Sequence, residues 1–410
     1  MAAGCSTICL PCSKDEYQGL IGDPATFRRW LDAAFRDSPE LFPEGFDQGY
    51  LLKDERFSKK LGLRLRRIEC NSTAKAFSVR PSCVMPYMTA FTDDVEKPLF
   101  LRRFSVPFWG LAHAFGRDPM YWYRLEVSLG RNSIVGTTIR RGDLPADLVA
   151  DEHHQTHDGL KVYITTVVAE GCCLGASVVN TCDEIGLTKG YGTFKEEAQD
   201  VQPDYAPKTV NTDGWQATGL AWLALFPLVV VLRCFLHGWL KIRQGCKKHP
   251  QFHEASAKAW EAYHAPDRRT FGQRIRRLRE WAVRVLKGEI LERVLRLCGR
   301  AKEYGKAYEH PDAQRTSAML DRVMRSMNGY FDGGQHLHGS EQACELHVRA
   351  WALLYNFSPW GPEAQRANAG CQCPAERLNQ HRYHDNWLHN LLVSASLAGY
   401  RSPAAPPQTP

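Results

Sequence analysis

The sequence predicts an α/β fold in which a mixed sheet with flanking helices is interrupted by an all-helical insertion and preceded by a mainly helical N-terminal region. Three observations predict it. Residues 148–180 fall into three short runs with the alternation of sheet strands. Residues 209–232 read as strand, turn, helix and strand, and beyond Leu240 the pattern changes to long helices rich in arginine.

A chain of 410 residues, 44% apolar and 11% aromatic, can bury a large core, which excludes a disordered scaffold. Its fourteen cysteines would suit a disulfide framework in a short secreted chain. This chain is long, and it opens without the basic segment and apolar stretch of a signal peptide, so reduced thiols in a cytoplasm are expected. The longest apolar run, 219–232, has 14 residues, contains Pro227 and is closed by Arg233. Crossing a bilayer takes about 20 apolar residues, so a buried helix followed by a buried strand is predicted, with no membrane partner.

Taken in order, residues 1–142 read as mixed structure with turns. Residues 61–68 alternate as a half-buried strand does, with Arg64, Arg66 and Arg67 on its outer face, either solvated or touching phosphates. Within 106–140, two apolar-periodic segments meet at Gly116, Arg117, Asp118 and Pro119, where Gly closes one helix, Asp118 caps the next and Pro119 fills its first turn. That is a helix-turn-helix candidate, although a hairpin serving only as core is the commoner use of the pattern.

Residues 148–151 are an apolar strand ending on Asp151, 161–169 a β-branched second strand, and 174–179 a third after the turn at Gly171. A polar stretch rich in Gly, Asp and Lys follows. Residues 209–214 end a strand on a turn, 215–225 form a helix and 228–232 another strand. The tail, 402–410, is rich in Pro and is expected to be disordered.

Charge is concentrated in one place. Residues 268–306 hold thirteen Lys and Arg against four Glu, a net +9 that exceeds the +7 of the whole chain. Arg outnumbers Lys there by ten to three, and a guanidinium can bond a phosphate bidentately, so a nucleic-acid surface is predicted around Arg274, Arg276, Arg277 and Arg279. A solvated helical face is the bland alternative.

Cutting a phosphodiester commonly takes two hard cations, and those need carboxylates from separate parts of a fold. Asp151 and Asp213 each end a predicted strand. From Thr212 to His237 the order is Thr-Asp-Gly-Trp, a helix, Phe226-Pro227, a strand, and then Cys234 followed three residues later by His237. This block resembles the second-aspartate block of Mutator-like transposases and their bacterial insertion-sequence relatives. The resemblance spans roughly residues 148–327. It implies a ribonuclease-H-like core, a three-carboxylate (DDE/DDD) site and two Mg2+ ions, for which Mn2+ can substitute.

The family's third carboxylate lies on a helix after an all-helical insertion, in a pattern close to T-x-N-x-x-E-R-x-x-R. Here Thr316, Asp321, Arg322 and Arg325 take those positions, with Asp321 where the family has Glu and Ser317 or Ala318 where it has Asn. The resemblance thus implies Asp151, Asp213 and Asp321 as catalytic, metal-holding residues whose carboxylates converge. It adds Arg322 and Arg325 as DNA contacts, with Cys234 and His237 in support. Glu341 is the reserve third carboxylate, and Glu152 is set aside because strand alternation turns it to the opposite face. Zinc is weighed at His153, His154 and His157, at Cys5, Cys9 and Cys12, and at Cys371 and Cys373, but none has a complete ligand spacing.

The organisation expected from this is a DNA-binding region over 1–142, a first core part over 143–240, a basic helical insertion over 241–314, a second core part with C-terminal helices over 315–401, and the tail. The expected function is a bacterial DNA transposase that cuts and joins the ends of an insertion sequence, as a homo-oligomer on nucleoid DNA. A nuclease on the same core and a non-catalytic DNA-binding derivative are the alternatives.

Overall fold

The computed structural model describes residues 6–333 and 337–400. Cys5 and the tail at 402–410 lie outside the described residues. The fold is mixed α/β, with two mixed sheets and flanking helices.

The N-terminal region departs from the mainly helical expectation. Strand β1 (Thr7–Leu10), helices α1 (Lys14–Gly22) and α2 (Pro24–Asp37), and strands β2 (Tyr50–Ser58), β3 (Leu63–Cys70) and β4 (Ala76–Pro81) make a four-stranded sheet in the order β1-β4-β3-β2. Only β3 shows clear alternation in sequence, and the charged edge strand β2 hides its neighbours. The expected outward row of arginines is also corrected. Arg66 turns inward to the Ile21 carbonyl and Glu55, and Arg67 pairs with Asp54, because carboxylates on β2 and buried carbonyls outcompete solvent for them.

Helices α3 (Thr92–Arg102), α4 (Phe108–Phe115), α5 (Pro119–Leu129) and α6 (Ile134–Thr138) follow. The turn between α4 and α5 is built as its residues dictate. Gly116 takes a positive φ of 72°, and the Asp118 carboxylate accepts the Met120 N–H at 2.7 Å. The inner side of α5 buries Trp122, Leu125 and Leu129.

The second sheet comprises β5 (Asp147–His157), β6 (Leu160–Ala169) and β7 (Cys172–Val179), then α7 (Glu184–Val201), β8 (Thr209–Thr212), α8 (Gln216–Leu225) and β9 (Val230–Arg233). Its order is β7-β6-β5-β8-β9; β6 is antiparallel to both neighbours, whereas β5, β8 and β9 run parallel. Helix α7 occupies the stretch read as merely polar. Its glycines mask an inward face of Leu187, Tyr191, Phe194 and Ala198, and Gly190 is needed there because a Cβ would lie 2.6 Å from the Thr165 side chain. Strand β9 starts two residues late, since Val229 closes a turn onto Phe226 and leaves Leu228 91% exposed.

Five helices then separate β9 from the rest: α9 (Phe235–Cys246), α10 (Phe252–Tyr263), α11 (Arg268–Val285), α12 (Gly288–Gly299) and α13 (Ala301–Gly305). They have a core of their own around Phe235, Phe271, Leu278 and Leu297. Helices α14 (Ala318–Gly333), α15 (Glu341–Phe357), α16 (Pro362–Ala367), α17 (Pro374–Asn379) and α18 (Trp387–Ser394) complete the chain.

The second sheet is covered on both faces. Leu148, Ala150 and Val167 pack with Tyr191, Phe194 and Trp222 of α7 and α8, whereas Val149, Ile164 and Val168 pack with Leu320, Val323 and Val348 of α14 and α15. The N-terminal sheet shares its core with Leu353 of α15 and with Leu388 and Leu391 of α18. A buried polar knot joins the parts: Glu126 of α5 accepts from Arg102 at 2.7 Å and also bonds Tyr330 of α14 and His347 of α15. Burial alone would raise the Glu126 carboxyl, but the charges and hydrogen bonds of Arg102, His347 and Tyr330 outweigh it and hold it down at about 2. Among the described residues no helix is long and apolar enough to cross a membrane.

Candidate active site

The register of the parallel strands sets the site. Val149 pairs with Asn211, and Asn211 with Leu232, so two residues further on Asp151, still within β5, comes level with Asp213 and Cys234, the residues that directly follow β8 and β9. The Cys234 N–H donates to the Thr212 carbonyl at 2.8 Å, which carries the pairing past the end of β9. Asp151 shares the parity of Val149 and so faces α14; Glu152 faces α7 and α8, where its Oε1 accepts from the Tyr191 hydroxyl at 2.7 Å and the Thr218 hydroxyl at 2.8 Å.

Burial pushes the Asp151 carboxyl up, and the charges of Asp213 and Glu152 push it further, to about 7. The Glu152 N–H, donated to Asp151 Oδ1 at 2.9 Å, and the charge of His237 work against the rise. Two carboxylates forced together in this way repel until a proton or a cation relieves them. Asp213 itself is held by a tight turn: Trp215 donates its N–H to Asp213 Oδ1 at 2.6 Å, and Gly214 sits at a φ of +87° with the Arg233 guanidinium against it.

Asp321 enters from α14. Ser317, just before that helix, bonds both carboxylate oxygens of Asp321 at 3.3 and 3.4 Å, approaches His237 Nδ1 at 3.4 Å and exchanges two hydrogen bonds with the Cys234 thiol. Hydrogen bonding to Cys234 raises the His237 imidazole to about 9, against its burial, with help from the charges of Cys234, Asp151 and Asp213. The Cys234 thiol would be raised by burial, but His237 and Ser317 hold it below its usual range. Cys234 and His237 therefore form a bonded pair at a strand end and helix start.

Asp151 and Asp213 are thus close enough for their charges to act on one another, and Asp321 shares the Ser317 hydroxyl with Cys234 and His237, the latter also within reach of the charges of Asp151 and Asp213. Among the described residues no three His, Cys, Asp or Glu side chains stand close enough together to hold a metal ion. The chemistry of the pair nevertheless fits a hard divalent cation, since two crowded carboxylate oxygens gain most from one; Asp321 would join after turning away from Ser317.

Glu341 is not brought to the site. It opens α15, where it accepts from Asn180 Nδ2 at 3.0 Å. Asp151 is level with Thr166 and Ala176, so Asn180 lies two strands away and four residues along, about 10 Å across and about 13 Å down the sheet. The three histidines also diverge. His153 is buried, where desolvation depresses it to about 4; His154 packs on Tyr163; and His157 Nε2 bonds the Gly339 carbonyl at 2.7 Å. Cys9 is buried in the N-terminal core, and Cys371 and Cys373 carry no preformed metal group among the described residues.

In the basic segment Arg276, Arg277 and Arg279 project outward from α11, and Arg276 lines a groove with Arg268 and Arg269. Arg274 is partly engaged, donating to the Glu261 carbonyl at 2.6 Å. Arg322 and Arg325 are exposed on α14. Sequence reasoning missed the parts of Tyr191, Thr218 and Asn211. Asn211 ties β8 to the approach to α14 by donating to the Gln314 carbonyl at 2.7 Å. A polar residue buried in a strand gives no sign in sequence of what it will meet. No protein-family model matches the chain, and no curated protein matches it by sequence.

Proposed function

We propose that the chain is a DNA transposase of the three-carboxylate class, cutting and joining DNA ends with divalent metal at Asp151, Asp213 and Asp321. The observation that carries the reading is Asp151, within β5, level with Asp213 just past the end of the neighbouring parallel β8, with Asp321 on a helix that packs over the same face and tied through the Ser317 hydroxyl to Cys234 and His237. The strand order β7-β6-β5-β8-β9, with β6 alone reversed, supports a ribonuclease-H-like core in which α9 to α13 are a basic insertion. Fold by itself does not fix function, so the weight rests on the carboxylates.

Magnesium or manganese, when bound, supplies activation of the attacking oxygen and stabilisation of the leaving one. Asp151 and Asp213 would hold both ions and Asp321 would complete the second site. Glu152 keeps Asp151 in place through its backbone N–H, and the His237 imidazolium offsets part of the negative charge. Arg276, Arg277 and Arg279, together with Arg322 and Arg325, hold the phosphate backbone. On this reading the protein works as a homo-oligomer on the DNA of a bacterial nucleoid.

A second reading, a non-catalytic DNA-binding derivative, is favoured by the bond that holds Asp321 on Ser317 and by the lack of three assembled ligands among the described residues. DNA carrying the sequences that flank the gene separates the readings when incubated with the purified chain and magnesium. Joined product supports the transposase, cut product alone a nuclease, and retention without cutting the derivative.

A further inference from the structure

Trp215 is placed where stability does not ask for it. It is the residue preceding α8, a position that favours Ser, Thr, Asp or Asn, and it makes no side-chain cap there. Its indole is 54% exposed, and among the described residues no ring or cation packs on its face. A large aromatic left in water at a capping position breaks two local preferences at once, which points to use rather than packing.

What surrounds it defines the use. Trp215 is bonded through its own N–H to Asp213 Oδ1, so indole and carboxylate move as one turn. On the other side of that turn Gly214 leaves room for the Arg233 guanidinium; a Cβ there would lie 2.4 Å from Arg233 Cζ. Arg233 is held in place by Glu303 at 2.6 Å. An open aromatic face beside a guanidinium at one turn matches two parts of a nucleotide, the base and the phosphate, next to the carboxylates read as the phosphodiester site.

We propose that Trp215 is the stacking platform for an unpaired base of the DNA strand whose phosphate lies at Asp151 and Asp213. The proposal rests on the reading of that pair as a phosphodiester site. Stacking is indifferent to base identity, so the residue would hold a strand end after it leaves the duplex without adding sequence preference.

The test uses the full chain in calcium, with two twelve-residue probes of equal charge: oligothymidylate and a sugar-phosphate strand lacking bases. The wild-type preference for the based strand should shrink by ~5- to ~100-fold in Trp215→Ala and stay within about threefold in Trp215→Phe, while binding of the baseless strand changes little in either. Thermal unfolding of both variants reports that the exposed turn has not damaged the fold. An unchanged preference in a folded Trp215→Ala would overturn the stacking role and leave the reading of the carboxylates intact. Failure of the wild type to bind either strand would overturn both.

Discussion

Tyr191 donates its hydroxyl to Glu152 at 2.7 Å, and that bond separates two adjacent carboxylates on β5 into different jobs. Glu152 is fixed against α7 and α8, leaving Asp151 alone toward α14. Glu152→Gln keeps an acceptor for Tyr191 and Thr218 but removes a charge that helps raise Asp151. Cleavage should survive, and its pH profile should move to lower pH. Glu152→Ala instead strands the buried Tyr191 hydroxyl, and urea unfolding should report a loss of about 1–3 kcal/mol.

The Asp151 carboxyl is displaced upward from 3.8 to about 7. Between those values the unfolded chain has released a proton that the folded chain keeps, so stability from this group falls as pH rises and levels off above about 7. A cation needs the ionised form. Magnesium should therefore raise the melting temperature more at pH 8 than at pH 6, and Asp213→Asn should abolish most of the rise. Equal protection at both pH values would speak against metal at this pair.

Asp321 and Glu341 can be told apart directly. Asp321→Asn should remove metal-dependent cleavage by 100-fold or more, on the order expected for a lost metal ligand, while DNA affinity in calcium stays near wild type. Asp321→Glu should keep partial activity, and Glu341→Gln should cleave like wild type because Glu341 serves Asn180 at the far edge of the sheet. Loss of cleavage in Glu341→Gln with normal activity in Asp321→Asn would reverse the assignment.

Salt dependence reads the basic helix. Replacing Arg276, Arg277 and Arg279 together by Gln should flatten the slope of log affinity against log salt by up to about 2.7, roughly 0.9 per released phosphate contact. Arg274→Gln should change it less, since its guanidinium already serves the Glu261 carbonyl.

The buried Glu126 offers a test of the fold alone. Its depressed carboxyl contributes stability that is present above 4.5 and lost as pH falls toward about 2. Glu126→Ala leaves the Arg102 charge buried without its partner, and should cost about 3–5 kcal/mol in urea unfolding.

The second sheet was legible because its strands are β-branched and Asp213 falls just past a strand end beside a turn, but the expected strand end at Asp151 was wrong: pairing with β6 carries β5 on to His157, a demand of the partner strand that the polar residues after Asp151 hide. The turn before α5 was legible because Gly116, Asp118 and Pro119 each have one local physical use. Helix α7 was not, since Gly190 serves close packing on Thr165, a demand set by a strand twenty-five residues earlier. Nor was the inward turn of Arg66, which depends on where Glu55 and the Ile21 carbonyl fall. At the candidate site, sequence suggested which carboxylates to consider; their crowding, and the hydroxyl that holds Asp321, arise from strand register and helix placement.

The path from Cys234 to Ser317 begins and ends at the same spot: Ser317 N–H meets the Cys234 thiol at 3.1 Å, and Phe235 N–H meets the Arg315 carbonyl at 3.3 Å. Everything between is an excursion with a closed neck and a core of its own. Such a module can be lengthened, shortened or exchanged while the distance between Asp213 and Asp321 stays set by the neck. If the proposed function holds, the basic surface that would grip DNA is thereby free to diversify without disturbing the carboxylates that would cut it.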